Sequence, residues 1–132
     1  MKIFIPYTNL KIEIPTNAIA IFMEDENAYS RYFIQRWKEG GKFINIEQDV
    51  IVTDDQLKEI WECENPWCVI SYAEDDPTPY FGCVKFDTDK LPQVWVERPW
   101  GNCDCFFVEK MRELNILPHI HKGACKHLHI YN

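Results

Sequence analysis

Phe43-Ile44-Asn45-Ile46-Glu47-Gln48-Asp49-Val50-Ile51-Val52 is the stretch on which the fold turns. Phe43, Ile44, Ile46, Val50, Ile51 and Val52 read as buried strand, because β-branched and aromatic side chains suit a pleated, buried surface. The acidic break Glu47-Gln48-Asp49 interrupts that run. Two carboxylates inside it are costly to bury without a compensating partner. Two readings are open. Either the strand ends at Glu47 and both acids are solvated in a turn, or the strand end opens into a cleft where a cation compensates them.

Upstream, residues 2–6 form a first strand stopped by Pro6, and Tyr7-Thr8-Asn9 is a loop. Residues 18–23 form a second strand that runs into Glu24-Asp25-Glu26-Asn27. From Ala28 to Lys38 the spacing is helical: Tyr29, Phe33 and Trp37 recur at i, i+4 and i+8, with Tyr32 and Arg36 alongside. Gly40-Gly41 ends that helix. The order strand, helix, strand predicts parallel pairing through a right-handed crossover.

Downstream, Asp54 to Trp61 reads as a short helix with acids at its N-terminus, as the helix dipole favours. Residues 67–72 read as a strand, 74–79 as a polar loop, 81–86 as a strand and 88–94 as a short helix. Pro99-Trp100-Gly101-Asn102 is a turn. Asn102 to Leu114 is a helix with Phe106, Phe107, Met111 and Leu114 on its apolar side. The tail, residues 119–129, carries every histidine of the chain.

The chain has 132 residues, of which 46% are hydrophobic, so one domain with one packed core is expected. The net charge of −7 argues against general nucleic-acid binding, which needs clustered Lys and Arg. It leaves room for a nucleotide held through a metal ion. No apolar run approaches the roughly 20 residues of a membrane helix, and the first residues do not resemble a signal peptide. A cytoplasmic protein is expected. The six cysteines include C-x4-C (Cys63, Cys68) and C-x-C (Cys103, Cys105) spacings but no paired C-x2-C. A structural zinc site with the C-terminal histidines is one reading of them. Reduced cysteines packed as small apolar groups are the other.

The histidines form two His-x-His pairs, His119/His121 and His127/His129. In an extended segment, i and i+2 point to the same face, so each pair can present two imidazoles together. Imidazole suits zinc- and manganese-like ions, and Asp49 offers a hard oxygen ligand. One carboxylate with one or two imidazoles would hold Mn²⁺ or Mg²⁺ and leave positions open for a diphosphate. Asp104, behind Trp100-Gly101, is either an acid stabilised by a helix N-terminus or a general base facing a hydroxyl acceptor. Asp25 ends the second strand, where ligands of open α/β sheets bind. It is a ribose or base contact, or a solvated turn acid.

In this order, strand-Pro6, strand-Asp25, helix and strand-Glu47-Gln48-Asp49 resemble the nucleotide-binding half of A-type glycosyltransferases. Phe81-Gly82-Cys83-Val84-Lys85-Phe86 resembles the glycine-containing strand that lines the sugar sites of family-two-like members. Trp100-Gly101-Asn102-Cys103-Asp104 resembles their Trp-Gly segment with an acid at a helix head. Glu47/Asp49, Cys63…Trp67-Cys68…Tyr72 and the His-rich end resemble small glycosyltransferase-like proteins of bacteria and their phages. The first motif position is Glu47 rather than Asp, and the chain is about half the usual length of such enzymes.

The resemblance implies a single Rossmann-like α/β domain with a mostly parallel central sheet flanked by helices. It implies a metal-dependent transfer of a sugar from a nucleoside-diphosphate sugar to a hydroxyl acceptor. Asp49 with His119, His121, His127 or His129 would hold Mn²⁺ or Mg²⁺, and Asp104 would be the catalytic base. Pro6, Tyr7, Thr8, Asp25, Glu47 and Gly82 would line the donor, with Trp67, Trp95 and Trp100 available for stacking. Two other readings stand beside it. One is a sugar-nucleotide-binding or inhibitory module without turnover. The other is a small zinc-stabilised protein using Cys103, Cys105, Cys125 and histidines.

Overall fold

The computed structural model describes residues 1–9, 14, 15, 17–73, 75–99 and 103–128. The chain order is β1 (Ile3–Tyr7), β2 (Ala18–Phe22), α1 (Ala28–Glu39), β3 (Lys42–Ile46), β4 (Val50–Ile51), α2 (Asp54–Glu62), β5 (Trp67–Ile70), β6 (Cys83–Asp87), α3 (Cys103–Glu113), β7 (His119–His121) and β8 (Lys126–His127). Among the described residues, six strands form one sheet in the order β2-β1-β3-β6-β5-β7, while β4 and β8 pair as a separate ribbon. β1 pairs in parallel with β2 and β3, and β5 with β7. β6 runs antiparallel to both β3 and β5. The fold is therefore mixed α/β, with five strands in one direction and β6 opposed.

Strand alternation sorts the core into two layers. Phe4, Phe43, Trp67, Val69, Val84 and Phe86 face α1 and α3, where they meet Tyr29, Tyr32, Phe33, Phe107 and Met111. Ile3, Ile5, Ile44, Ile46, Cys68, Ile70 and Cys83 face α2 and the ribbon, against Leu57, Ile60, Val50 and Cys125. Trp95 is sandwiched between Phe33 (ring centroids 4.4 Å apart) and Phe107 (5.2 Å). Trp67 and Trp95 are thus core residues, 1% and 3% exposed, and not stacking platforms for a sugar. Trp100 lies outside the described residues.

Most boundaries shift by one or two residues, the strand expected over 67–72 ending at Ile70 among them, and three differences concern the strand through Pro6 and the segment over 81–94. β1 continues through Pro6 to Tyr7 instead of stopping at it. The last β1–β3 register pair is Phe4↔Asn45, and Lys2 turns its carbonyl to β3 while Tyr7 turns its carbonyl to the β2 side. By alternation, the nitrogen of Pro6 faces β3 just beyond that last pair, where no ladder bond is lost. The strand expected over 81–86 starts at Cys83, and the helix expected over 88–94 is one 3-10 turn, Thr88–Lys90.

α2 starts on a capping box: the Thr53 hydroxyl accepts from the Gln56 N–H, and the Gln56 side chain accepts from the Thr53 N–H. No helix of the described residues is long and apolar enough to cross a membrane.

Candidate functional site

The sheet reverses its winding at β1. β2 lies on one side of it, and the chain then crosses back through α1 to β3 on the other. In open α/β sheets such a reversal leaves a crevice at the carboxyl ends of the strands. The β1–β3 ladder ends at Phe4↔Asn45, and Pro6 has no N–H with which to extend it. Gln48 bridges the gap. Its Oε1 accepts from the N–H groups of Thr8 (2.9 Å) and Asn9 (3.0 Å), and its Nε2 donates to the Thr8 hydroxyl.

Beyond β3 the chain turns and returns as β4. Asp49 is fully buried in that turn. β4 pairs with β8 in the register Val50↔His127, which carries the C-terminal segment onto Asp49. His127 Nε2 lies 2.8 Å from Asp49 Oδ2, and the Leu128 N–H donates to the Asp49 carbonyl. The imidazole contact is close but poorly aligned as a hydrogen bond, and Asp49 Oδ1 has no hydrogen-bond partner among the described residues. A fully buried carboxylate oxygen left in this way is costly unless a cation or donor reaches it.

Aromatic rings wall one side. Tyr72 stacks on His127 (centroids 4.5 Å) and on Tyr80 (4.9 Å), and its hydroxyl donates to Glu47 Oε1 at 3.1 Å. Gly82 makes room for that ring. A Cβ at position 82 would lie 2.2 Å from the Tyr72 hydroxyl oxygen. The Gly82 carbonyl in turn accepts from the Glu47 N–H. Burial pushes the Glu47 carboxyl up to about 7; the Tyr72 hydrogen bond pulls against this, and the charges of Asp49 and Asp104 add to the rise.

Asp104 stands in the first turn of α3, where its Oδ1 accepts from the Cys105 N–H. It borders a cavity of about 280 Å³ lined also by Pro77, Pro79, Tyr80 and Val108. Tyr80 therefore links this cavity to the ring stack over His127.

No protein-family model matches the chain, and no curated protein matches it.

Several residues expected at the site have other employment. Asp25 pairs with Arg31 at 2.7 Å and accepts from the Asn27 N–H, so it caps the approach to α1. The Arg31 hydrogen bond holds its carboxyl below the usual range. Tyr7 packs its ring on Phe22. His119 and His121 lie on β7 beside β5 and gather with Cys63 and Cys68, away from the β4–β8 ribbon that carries His127. His129 lies outside the described residues. The cysteines considered for zinc are scattered: Cys103 packs on the α1/α3 face, Cys125 on the opposite face, and Cys105 is exposed.

Gln48 is a site residue that the sequence did not single out, and Tyr72 entered only as the last member of the Cys63…Trp67-Cys68…Tyr72 segment, with no role given. Gln48 reads as filler between two acids. Spacing alone could not assign Tyr72 its part in the site, because its partners are 25 and 55 residues away in the sequence.

Proposed function

We propose that the crevice at the carboxyl ends of β1 and β3 binds a divalent cation with the diphosphate of a nucleoside-diphosphate sugar. The protein then transfers the sugar to a hydroxyl acceptor, as a small glycosyltransferase of the A-type fold. The observation that carries this reading is the buried Asp49, in contact with His127 and with one oxygen unpartnered among the described residues. A carboxylate and an imidazole at a switch-point crevice fit a borderline-hard ion, Mn²⁺ better than Mg²⁺, because Mg²⁺ prefers all-oxygen sites. Helices on both faces of a largely codirectional sheet support the fold side of the reading.

When bound, the cation would neutralise charge on the leaving diphosphate. The chain's own residues do the rest. Tyr72 holds His127 by stacking and Glu47 by its hydroxyl. Asp104, on the adjoining cavity, takes the hydroxyl proton of the acceptor as its oxygen bonds the anomeric carbon and the bond to the diphosphate oxygen breaks. A diphosphate that reaches the N–H groups of Thr8 and Asn9 must displace the Gln48 amide.

That internal bond, together with the Asp25–Arg31 pair, favours a second reading: a sugar-nucleotide-binding module without turnover. Calorimetric titration of UDP- and GDP-sugars with Mn²⁺, followed by a donor-hydrolysis assay, separates the two. Binding that needs Mn²⁺ and Asp49, with turnover lost in Asp104→Asn, is the expected result. Metal-dependent binding without turnover selects the module. Failure of every such donor to bind with metal present refutes both.

A further inference from the structure

We propose that Cys63, Cys68, His119 and His121 form a tetrahedral zinc site that fastens the edge strand β7 to β5 and α2. It is separate from the Asp49–His127 crevice and does not depend on the transferase reading. The four side chains offer one ligand atom each, and these atoms all lie within 4.8 Å of one another. A tetrahedral centre with bonds of about 2.0 Å to nitrogen and 2.3 Å to sulfur puts its ligands about 3.3–3.8 Å apart, so small side-chain shifts close the cluster. Two sulfur and two imidazole ligands select zinc over Mg²⁺ or Mn²⁺.

The fold assembles the four groups from distant stretches. Cys63 follows the last residue of α2. Cys68 on β5 stands opposite His119 on β7 in the parallel register, and His121 follows two residues later on the same face. Cys63 Sγ lies 3.1 Å from His119 Nδ1, and the two imidazole centroids are 4.1 Å apart.

His121 is the most telling member. It is 7% exposed. Its Nδ1 lies 3.0 Å from Glu59 Oε1 on α2, which fixes the tautomer with the proton on Nδ1. Its Nε2 is buried and has no hydrogen-bond partner among the described residues. A carboxylate against one ring nitrogen and a buried, unpartnered second nitrogen is the arrangement of a metal-bound histidine with its orienting acid.

Lys85 supports the same loop. It is buried, stands opposite Cys68 on β6, and its ammonium donates to the carbonyls of Cys63 (2.6 Å) and Asn65 (2.7 Å). Those bonds fix the backbone that presents Cys63, and they leave a buried positive charge beside two groups that bind metal as thiolates. Four protein ligands leave no open position, so the site is structural rather than catalytic.

The test is metal analysis of the full-length protein prepared without chelator, joined to Co²⁺ substitution. The expected result is about one zinc per chain, and a Co²⁺ spectrum with thiolate charge transfer and tetrahedral d–d bands. Cys63→Ser and His121→Ala should lose the metal, while Asp49→Ala keeps it. Glu59→Gln, a positioning change, should weaken zinc affinity by roughly 10–100-fold without abolishing it.

Alkylation of the wild-type protein gives a readout independent of variant folding. Cys63 should react only after chelation, whereas the exposed Cys105 reacts throughout. Zinc absent after reconstitution, a Co²⁺ spectrum without thiolate character, or Cys63 alkylated equally with and without chelator would overturn the proposal. So would metal that is lost in Asp49→Ala and kept in Cys63→Ser.

Discussion

Gly82→Ala probes the packing on which the crevice depends. The new Cβ would sit 2.2 Å from the Tyr72 hydroxyl oxygen and 2.5 Å from two ring carbons, where ordinary contact needs about 3.5–4.0 Å. The ring must therefore move by about 1 Å or more. It is held by stacking on Tyr80 and His127 and by the bond to Glu47. Overpacking alone costs about 1–3 kcal/mol, and the hydrogen bond to a carboxyl group adds about 1 kcal/mol or more if it breaks. We expect a loss of about 2–4 kcal/mol in urea unfolding followed by Trp fluorescence.

The backbone at Gly82 is not in the left-handed region, so alanine carries no intrinsic strain there. In a Tyr72→Ala background the obstacle is gone. The same change should then be neutral, or stabilising by about 0.4–1 kcal/mol through the reduced freedom of the unfolded chain. The double-mutant cycle thus predicts a coupling of about 2 kcal/mol or more. An equal cost of Gly82→Ala in both backgrounds refutes the claim that Gly82 exists to admit the Tyr72 ring.

Three further predictions concern stability. Lys85→Met removes a buried ammonium that donates to two carbonyls; it should cost about 2–4 kcal/mol in urea unfolding, and a cost under about 0.5 kcal/mol contradicts this role. Thr53→Ala breaks the capping box of α2 and should cost about 1 kcal/mol, read as a lower midpoint at unchanged m-value. Glu47 gives a pH dependence in metal-free protein. Its folded pKa is raised to about 7 from 4.5, with Tyr72, Asp49 and Asp104 as the groups that act on it. Its contribution is fully present below about pH 4.5 and is lost as pH rises through about 7, on the order of 3 kcal/mol. Glu47→Gln should flatten that slope, and an unchanged slope from pH 5 to 8 excludes Glu47 as its source.

Much of the framework was legible because it is local. The aromatic stripe of α1, the buried apolar run of β3 and the apolar face of α3 are local signals that packing then uses. What escaped depended on partners distant in sequence. Pro6 reads as a strand terminator until the direction of its nitrogen is known. The two His-x-His pairs look equivalent in sequence, yet one pairs with β5 and meets Cys63 and Cys68, while His127 is carried by β8 to Asp49. Register, not spacing, makes that assignment. Asp25 reads as a ligand contact from its place at a strand end, but Arg31, six residues on in α1, already holds it. Lys85 sits where alternation calls for an apolar side chain, and only the fold reveals the carbonyls that hold it.

The most direct test of the crevice is a crystal of the full chain soaked with Mn²⁺ and a nucleoside diphosphate, with anomalous scattering collected at the manganese edge. The account predicts an anomalous peak bonded to Asp49 and His127, with the diphosphate reaching toward Thr8 and Gln48 displaced from the loop. A peak only at Cys63, Cys68, His119 and His121, or no peak beside Asp49 with nucleotide at saturation, would contradict it.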